Sequence, residues 1–189
     1  MAMRIPGMTI VVILTAATAY AGQPARLAPY RVAVCSDVGN GFVIAKAETI
    51  AAGIFNEIGV GIDWHQPNSC PPDAIHIDYS DDTPPAFLSA SLAYARPYEG
   101  IHIVVFFDRI KRRNPPRLLS VVLGHVMVHE ISHILQGVQR HSESGIMKAW
   151  WNRNDISEMA FHPLSFTDED VNLIHKGLEA RESRVASLR

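Results

Sequence analysis

Strand-like and helix-like patterns of apolar residues alternate along the chain in the order of a mixed fold. YRVAVCSD (30–37) is rich in apolar and β-branched residues and stops at the turn formers Asp-Val-Gly-Asn-Gly, which predicts a strand. From Phe42 to Gly59, Ile44, Ala47, Ile50, Ala51, Ile54, Phe55 and Ile58 recur at helical spacing with charges between them, which predicts an amphipathic helix. VGIDWHQ (60–66) and AIHIDYS (74–80) alternate as strands do, on either side of the loop QPNSCPPD, and DDTPP (81–85) ends that portion with turn chemistry. Ile101 to Phe107 is the most apolar strand. Residues 117–137, RLLSVVLGHVMVHEISHILQG, predict a long apolar helix ending at Gly137, the residue type suited to a left-handed cap. The stretch 147–165 shows no clear period, and a last helix is expected over 165–183. At its start Thr167 and Asp170 resemble a capping box, with Asp where Glu or Gln is usual, and Asp168 and Glu169 suit the positive end of the helix dipole.

One apolar run stands outside this order. From about Met8 to Ala19 it follows Arg4, the only early charge, and leads to the small-x-small sequence Ala19-Tyr20-Ala21. That layout predicts a secretory signal peptide over 1–21 with cleavage after Ala21, since the run is well short of the roughly 20 residues that span a bilayer. No second apolar stretch reads as a span, so an exported, extracytoplasmic product, secreted or periplasmic, is expected. Residues 22–189 have the size of one ordinary domain, with no linker or charge shift to divide them and no internal repeat.

The formal net charge of −2 is mild, which argues against nucleic acid as a partner and gives no reason to expect an anionic membrane surface. KRRNPPR (111–117) is the one basic cluster and reads as a solvated loop. Two cysteines, Cys35 and Cys70, in an exported chain predict one disulfide, worth about 3–4 kcal/mol in the chain-entropy picture. The alternative has one of them ligate a metal or mask one.

The chemistry is concentrated in HEISHILQGVQRHSESGIM (129–147). His129 and His133, four apart on a helix, leave the same face one turn apart and can reach a single ion, for which zinc is well matched. Glu130 is offset by about 100° around the helix, beside the ion rather than on it, where a carboxylate can take a proton from a metal-bound water and hand it to a leaving amine. The plain alternative is a polar stripe on an exposed helix. The apolar Val126, Met127, Val128, Ile131, Ile134 and Leu135 speak against it, because a helix so apolar is buried, and buried polar groups need partners. His125 extends the stripe, but three ligands in one straight row would spread over about 12 Å, so it is expected in a supporting or core role. His65, His76, His102, His162 and His175 have no metal spacing.

Beyond Gly137 the stretch resembles the metzincin metallopeptidases, most closely the matrixin branch, over 129–147 and more loosely over 88–137 and 165–180. The resemblance implies an α+β, zincin-like fold: a twisted mixed sheet with a backing helix, an active-site helix, and a small C-terminal part with a Met-turn and terminal helix. It implies His129, His133 and His141 as ligands of one catalytic zinc, Glu130 as general base, Gly137 as the structural turn, Ser142 as the residue after the third ligand, and Met147 as the Met-turn methionine. It places HIVVFFD (102–108) as the sheet edge along which a peptide lies, with His102, Ile103, Val104 and Tyr98 as substrate contacts. The family pattern is His-Glu-x-x-His-x-x-Gly-x-x-His; here Gly137 comes one residue late and His141 two, and the run from His141 to Met147 is correspondingly shorter. The family's tyrosine after the methionine is missing, since Lys148 and Ala149 stand there. Trp150 and Trp151 are packing residues or the wall of a pocket.

The expectation is therefore a zinc-dependent endopeptidase that acts on a peptide or protein substrate, with a monomer as the default state. Three rivals remain on the sequence: a gluzincin-type site with Glu158 as third ligand, a non-catalytic zinc protein closed by a fourth ligand such as Glu143 or a cysteine, and a degenerate peptidase fold that only binds peptides.

Overall fold

A computed structural model describes residues 30–36, 41–84, 91–95 and 101–187. The leader expected over 1–21 and Tyr98 lie outside these residues. Strands β1 (Tyr30–Ser36), β2 (Val60–His65), β3 (Ile75–Ser80), β4 (Ala93–Ala95) and β5 (His102–Phe106) form one mixed sheet in the order β2-β1-β3-β5-β4. All neighbours are parallel except β4, which runs antiparallel to β5. The helices are α1 (Gly41–Glu57), α2 (Phe107–Arg113), α3 (Leu119–Gln136), α4 (Arg153–Met159) and α5 (Asp168–Ser187). This is the α+β architecture expected from the sequence.

The core lies between the sheet and the α1–α3 pair. Val34, Ile75, Ile77, Ile103 and Val105 supply the sheet face, and Ile44, Ala47, Ala51, Ile54 and Phe55 the buried stripe of α1. Helix α3 is buried at every position from Val122 to Gln136. It is long and apolar enough to cross a membrane, contrary to the expectation that no second stretch would be. A helix apolar on all sides is also what a protein interior requires, and α3 is wrapped by α1, α5 and the sheet.

Two of these packings are close. At Gly124 a Cβ would stand 3.0 Å from Ala47 O, so α1 and α3 nearly touch there. At Gly177 on α5 a Cβ would stand 1.7 Å from Leu135 O, a backbone atom that no rotamer change can move aside. Gly177→Ala should therefore cost roughly 3 kcal/mol by overpacking, read as a lowered urea midpoint with unchanged slope.

Three elements were not legible in the sequence. The basic cluster read as a loop begins inside α2, whose last turn carries Lys111, Arg112 and Arg113 where cations favour the negative helix end. The stretch without period contains α4, started by a reciprocal cap: Asn152 Oδ1 accepts from the N–H groups of Asn154 and Asp155, and Asp155 Oδ2 accepts from Asn152 N–H at 2.7 Å. Seven residues that bury only Met159 leave no periodic pattern. The third is β4, a three-residue strand with Ala93 and Ala95 turned inward.

That strand corrects the expected substrate edge. β5 is not at the edge of the sheet: it pairs with β3 on one side, and with β4 on the other through Ile103, Val104 and Val105. Ile103 is fully buried. With its main chain committed on both sides, β5 cannot add a peptide along Ile103 and Val104, and the edge of the described sheet on this side is β4. His102 is exposed but belongs to another cluster, described below.

Candidate metal centre

Helix α3 sets two of the three histidines by its own geometry. Its side chains at 129 and 133 share a face, and their Nε2 atoms stand 3.1 Å apart. The outer nitrogens decide what lies between. His129 Nδ1 donates to Ile146 O at 2.9 Å, and His133 Nδ1 donates to Val138 O at 3.2 Å. A carbonyl only accepts, so each ring carries its proton on Nδ1 and turns a bare Nε2 lone pair toward the other. Two facing lone pairs repel unless a cation sits between them, and 3.1 Å is close to the edge of about 3.3 Å expected between two imidazole ligands of one tetrahedral zinc. The donor set and its spacing thus fit a zinc ion.

His141 completes the group. The ligand atoms of His129, His133 and His141 lie within 4.8 Å of one another, with the first two buried and the third exposed. Burial pushes the pKa values of all three down, that of His129 to about 3 and that of His133 to about 4, and for these two the neighbouring histidines add to the effect. At neutral pH all three rings are therefore neutral and able to donate a lone pair. Neither Glu158 nor Glu143 joins the cluster; both are exposed and line a separate cavity of about 560 Å³ beside the 142–148 turn. Among the described residues His141, and neither glutamate, is thus placed to be the third ligand.

The late register of Gly137 and His141 has a local cause. α3 runs through Gln136, and Gly137 ends it in the left-handed conformation (φ 69°, ψ 17°) with its N–H on His133 O. A Cβ there would meet nothing within 4 Å, so the positive φ, not space, calls for glycine. The chain then turns back, and Ser142 N–H bonds Met147 O at 2.8 Å. Gly145, at φ 72°, allows this turn to press against Ser165 O, which a Cβ would meet at 2.3 Å. Met147 is fully buried, and its neighbour Ile146 supplies the carbonyl that orients His129.

Asp170 holds both neighbours of His141. This carboxylate, fully buried at the start of α5, accepts from Arg140 Nη1 at 2.8 Å and from Ser142 Oγ at 2.6 Å. Its second oxygen caps α5 through Thr167 N–H and Oγ1, and Thr167 Oγ1 accepts Asp170 N–H in return. Burial raises its pKa, but the bonds from Ser142, Thr167 and Arg140 outweigh that and hold it below the usual carboxylate range. The capping pair was legible in the sequence; the link to 140–142, some thirty residues away, was not. Asp170→Asn should leave the fold intact and weaken zinc binding by about 10–100-fold, the scale of lost outer partners of a ligand, measured by competition with a chelating dye.

Glu130 is almost fully buried beside the histidines and outside their ligand group. Burial lifts its pKa to about 8, and the backbone N–H of Ala95 on β4, bonded to the carboxylate, works against that lift. Ala95 is a site contact that no sequence pattern marked, because its contribution is its main chain. Trp151 packs edge-on against His129 and His125 at 5.7 and 6.3 Å. His125 serves the core: its Nδ1 bonds Val121 O, and its Nε2 accepts Leu164 N–H at 3.1 Å, joining α3 to the chain before α5.

No family model matches the sequence, and no curated protein matches it. Solved structures do. An archaemetzincin from Methanopyrus kandleri aligns over 79% of this chain and 96% of its own, with a TM-score of 0.53 and 14% sequence identity. The fold is thus similar to that of a metzincin-clan protein, and this likeness does not single out the matrixin branch.

Proposed function

We propose that the chain is an exported zinc metalloendopeptidase. The observation that carries this reading is the pair of bare Nε2 lone pairs on His129 and His133, 3.1 Å apart, with His141 converging on them and Glu130 alongside. Bound by the three histidines, zinc would supply a Lewis acid for the scissile carbonyl and lower the pKa of a water. Glu130 then acts as general base and acid: its carboxylate, aligned by Ala95 N–H, takes the proton of the attacking water and passes it to the departing amine. A cation beside it favours the ionised form and offsets the lift from burial. The edge strand β4 offers an extended peptide a place to add at Ala93, since Ala95 N–H already serves Glu130 and Ala95 O accepts from Gln139 Nε2. Three protein ligands leave a tetrahedral position open, which favours a catalytic over a purely structural ion. The Cys35–Cys70 disulfide supports an oxidising, extracytoplasmic location.

The purified protein should hold one zinc per chain and cleave an unfolded substrate such as casein. A chelator should abolish cleavage and zinc should restore it. A protein that neither retains nor recovers zinc would overturn the reading.

A further inference from the structure

A second group of metal-binding side chains lies on the sheet, apart from the three histidines. Four residues stand in one register row across four strands: His65 on β2 opposite Cys35 on β1, Cys35 opposite His76 on β3, and His76 opposite His102 on β5. Residues paired in register point to the same face, so this row forms a continuous strip of sulfur and imidazole donors. Cys70 comes down onto it from the loop between β2 and β3 and is bonded to Cys35, with the two Cα atoms 5.8 Å apart. His76 Nε2 lies 3.5 Å from Cys70 Sγ, and the His76 and His102 rings stack at 4.9 Å. The ligand atoms of Cys35, Cys70 and His76 all fall within 4.8 Å of one another.

A structural disulfide needs none of these imidazoles. We propose that Cys35, Cys70 and His76 form a redox-gated second metal site, closed as the disulfide and open to zinc once a dithiol has reduced it. The chemistry balances. One thiolate of the dithiol attacks Sγ of Cys70, the less buried residue of the pair, and the S–S bond breaks with Cys35 leaving as a thiolate. The second thiol displaces Cys70, and the reductant departs as its own disulfide, having delivered two electrons and two protons. Zinc then replaces the two thiol protons, which are released. Two thiolates and one imidazole suit zinc, and the 3.5 Å between Cys70 Sγ and His76 Nε2 matches the edge of about 3.6 Å between a thiolate and an imidazole on one tetrahedral zinc. His102, exposed and stacked on His76, offers a further imidazole beside this group. The oxidised pair holds the 66–73 loop on the sheet; the metal holds it there in the reduced state.

The test does not depend on the peptidase reading. The full mature protein is reduced with a trialkylphosphine, which cleaves the disulfide without offering a thiol to the metal, and titrated with Co²⁺ alongside the unreduced protein. The reduced chain should take up one cobalt more than the oxidised chain and gain a thiolate-to-cobalt charge-transfer absorption, which a three-histidine site cannot produce. His76→Ala should weaken that uptake by more than about 100-fold, beyond the 10–100-fold loss of an outer partner. A His129→Ala/His133→Ala variant should retain the absorption, which separates this site from the first. Two free thiols with no such absorption, or an absorption unaffected by His76→Ala or dependent on His129 and His133, would overturn the proposal. If reduction unfolds the chain, zinc should restore its circular dichroism, and failure to do so overturns it equally.

Discussion

Glu130→Gln should retain one zinc per chain and lose casein cleavage by about 10²–10⁴-fold, the range that a positioned general base contributes. Glutamine has the same shape, and its amide oxygen can still accept Ala95 N–H, so the packing around α3 is conserved. What disappears is the capacity to take up and return a proton. Zinc content by elemental analysis and cleavage rate must therefore separate: full metal with little activity. Retained cleavage at full metal would remove Glu130 from the chemistry. Loss of the metal along with activity would show that the carboxylate holds the ion, contrary to its place outside the cluster of three histidines.

His141→Ala should abolish zinc retention through dialysis, and Glu158→Ala should leave it unchanged. His141 is the candidate ligand that α3 does not provide; without it only His129 and His133 remain, on one turn of helix. Losing a direct ligand must cost more than the 10–100-fold typical of an outer partner. Glu158 is exposed on α4 and lines a cavity that contains none of the histidines. The reverse outcome would place the third ligand on α4 and make the site gluzincin-like. The same comparison isolates Asp170, whose replacement by Asn is expected to weaken binding and not to abolish it, since it acts on His141 through Arg140 and Ser142.

Residues close in the chain carried most of what could be read in advance. The spacing of His129 and His133 follows from helix rise and turn alone, and the cap at Gly137 from its conformational freedom. The α1 stripe and strands β1, β2, β3 and β5 followed from apolar periodicity, because each buries enough of one face to leave a pattern. β4 and α4 did not, being three and seven residues long with few buried positions.

The sequence by itself determined the candidate ligand pair, the adjacent carboxylate and the α+β order of elements, all consequences of local backbone geometry. The tertiary structure alone decided the rest. It made β4, not β5, the sheet edge nearest the histidines' helix, because strand order depends on which main chains find partners, and it brought Ala95 N–H to Glu130. It tied His141 in place through Asp170 and laid His65, Cys35, His76 and His102 in one row. Each of these is a contact between segments distant in sequence, set by the packing of whole elements, and no spacing along the chain encodes it.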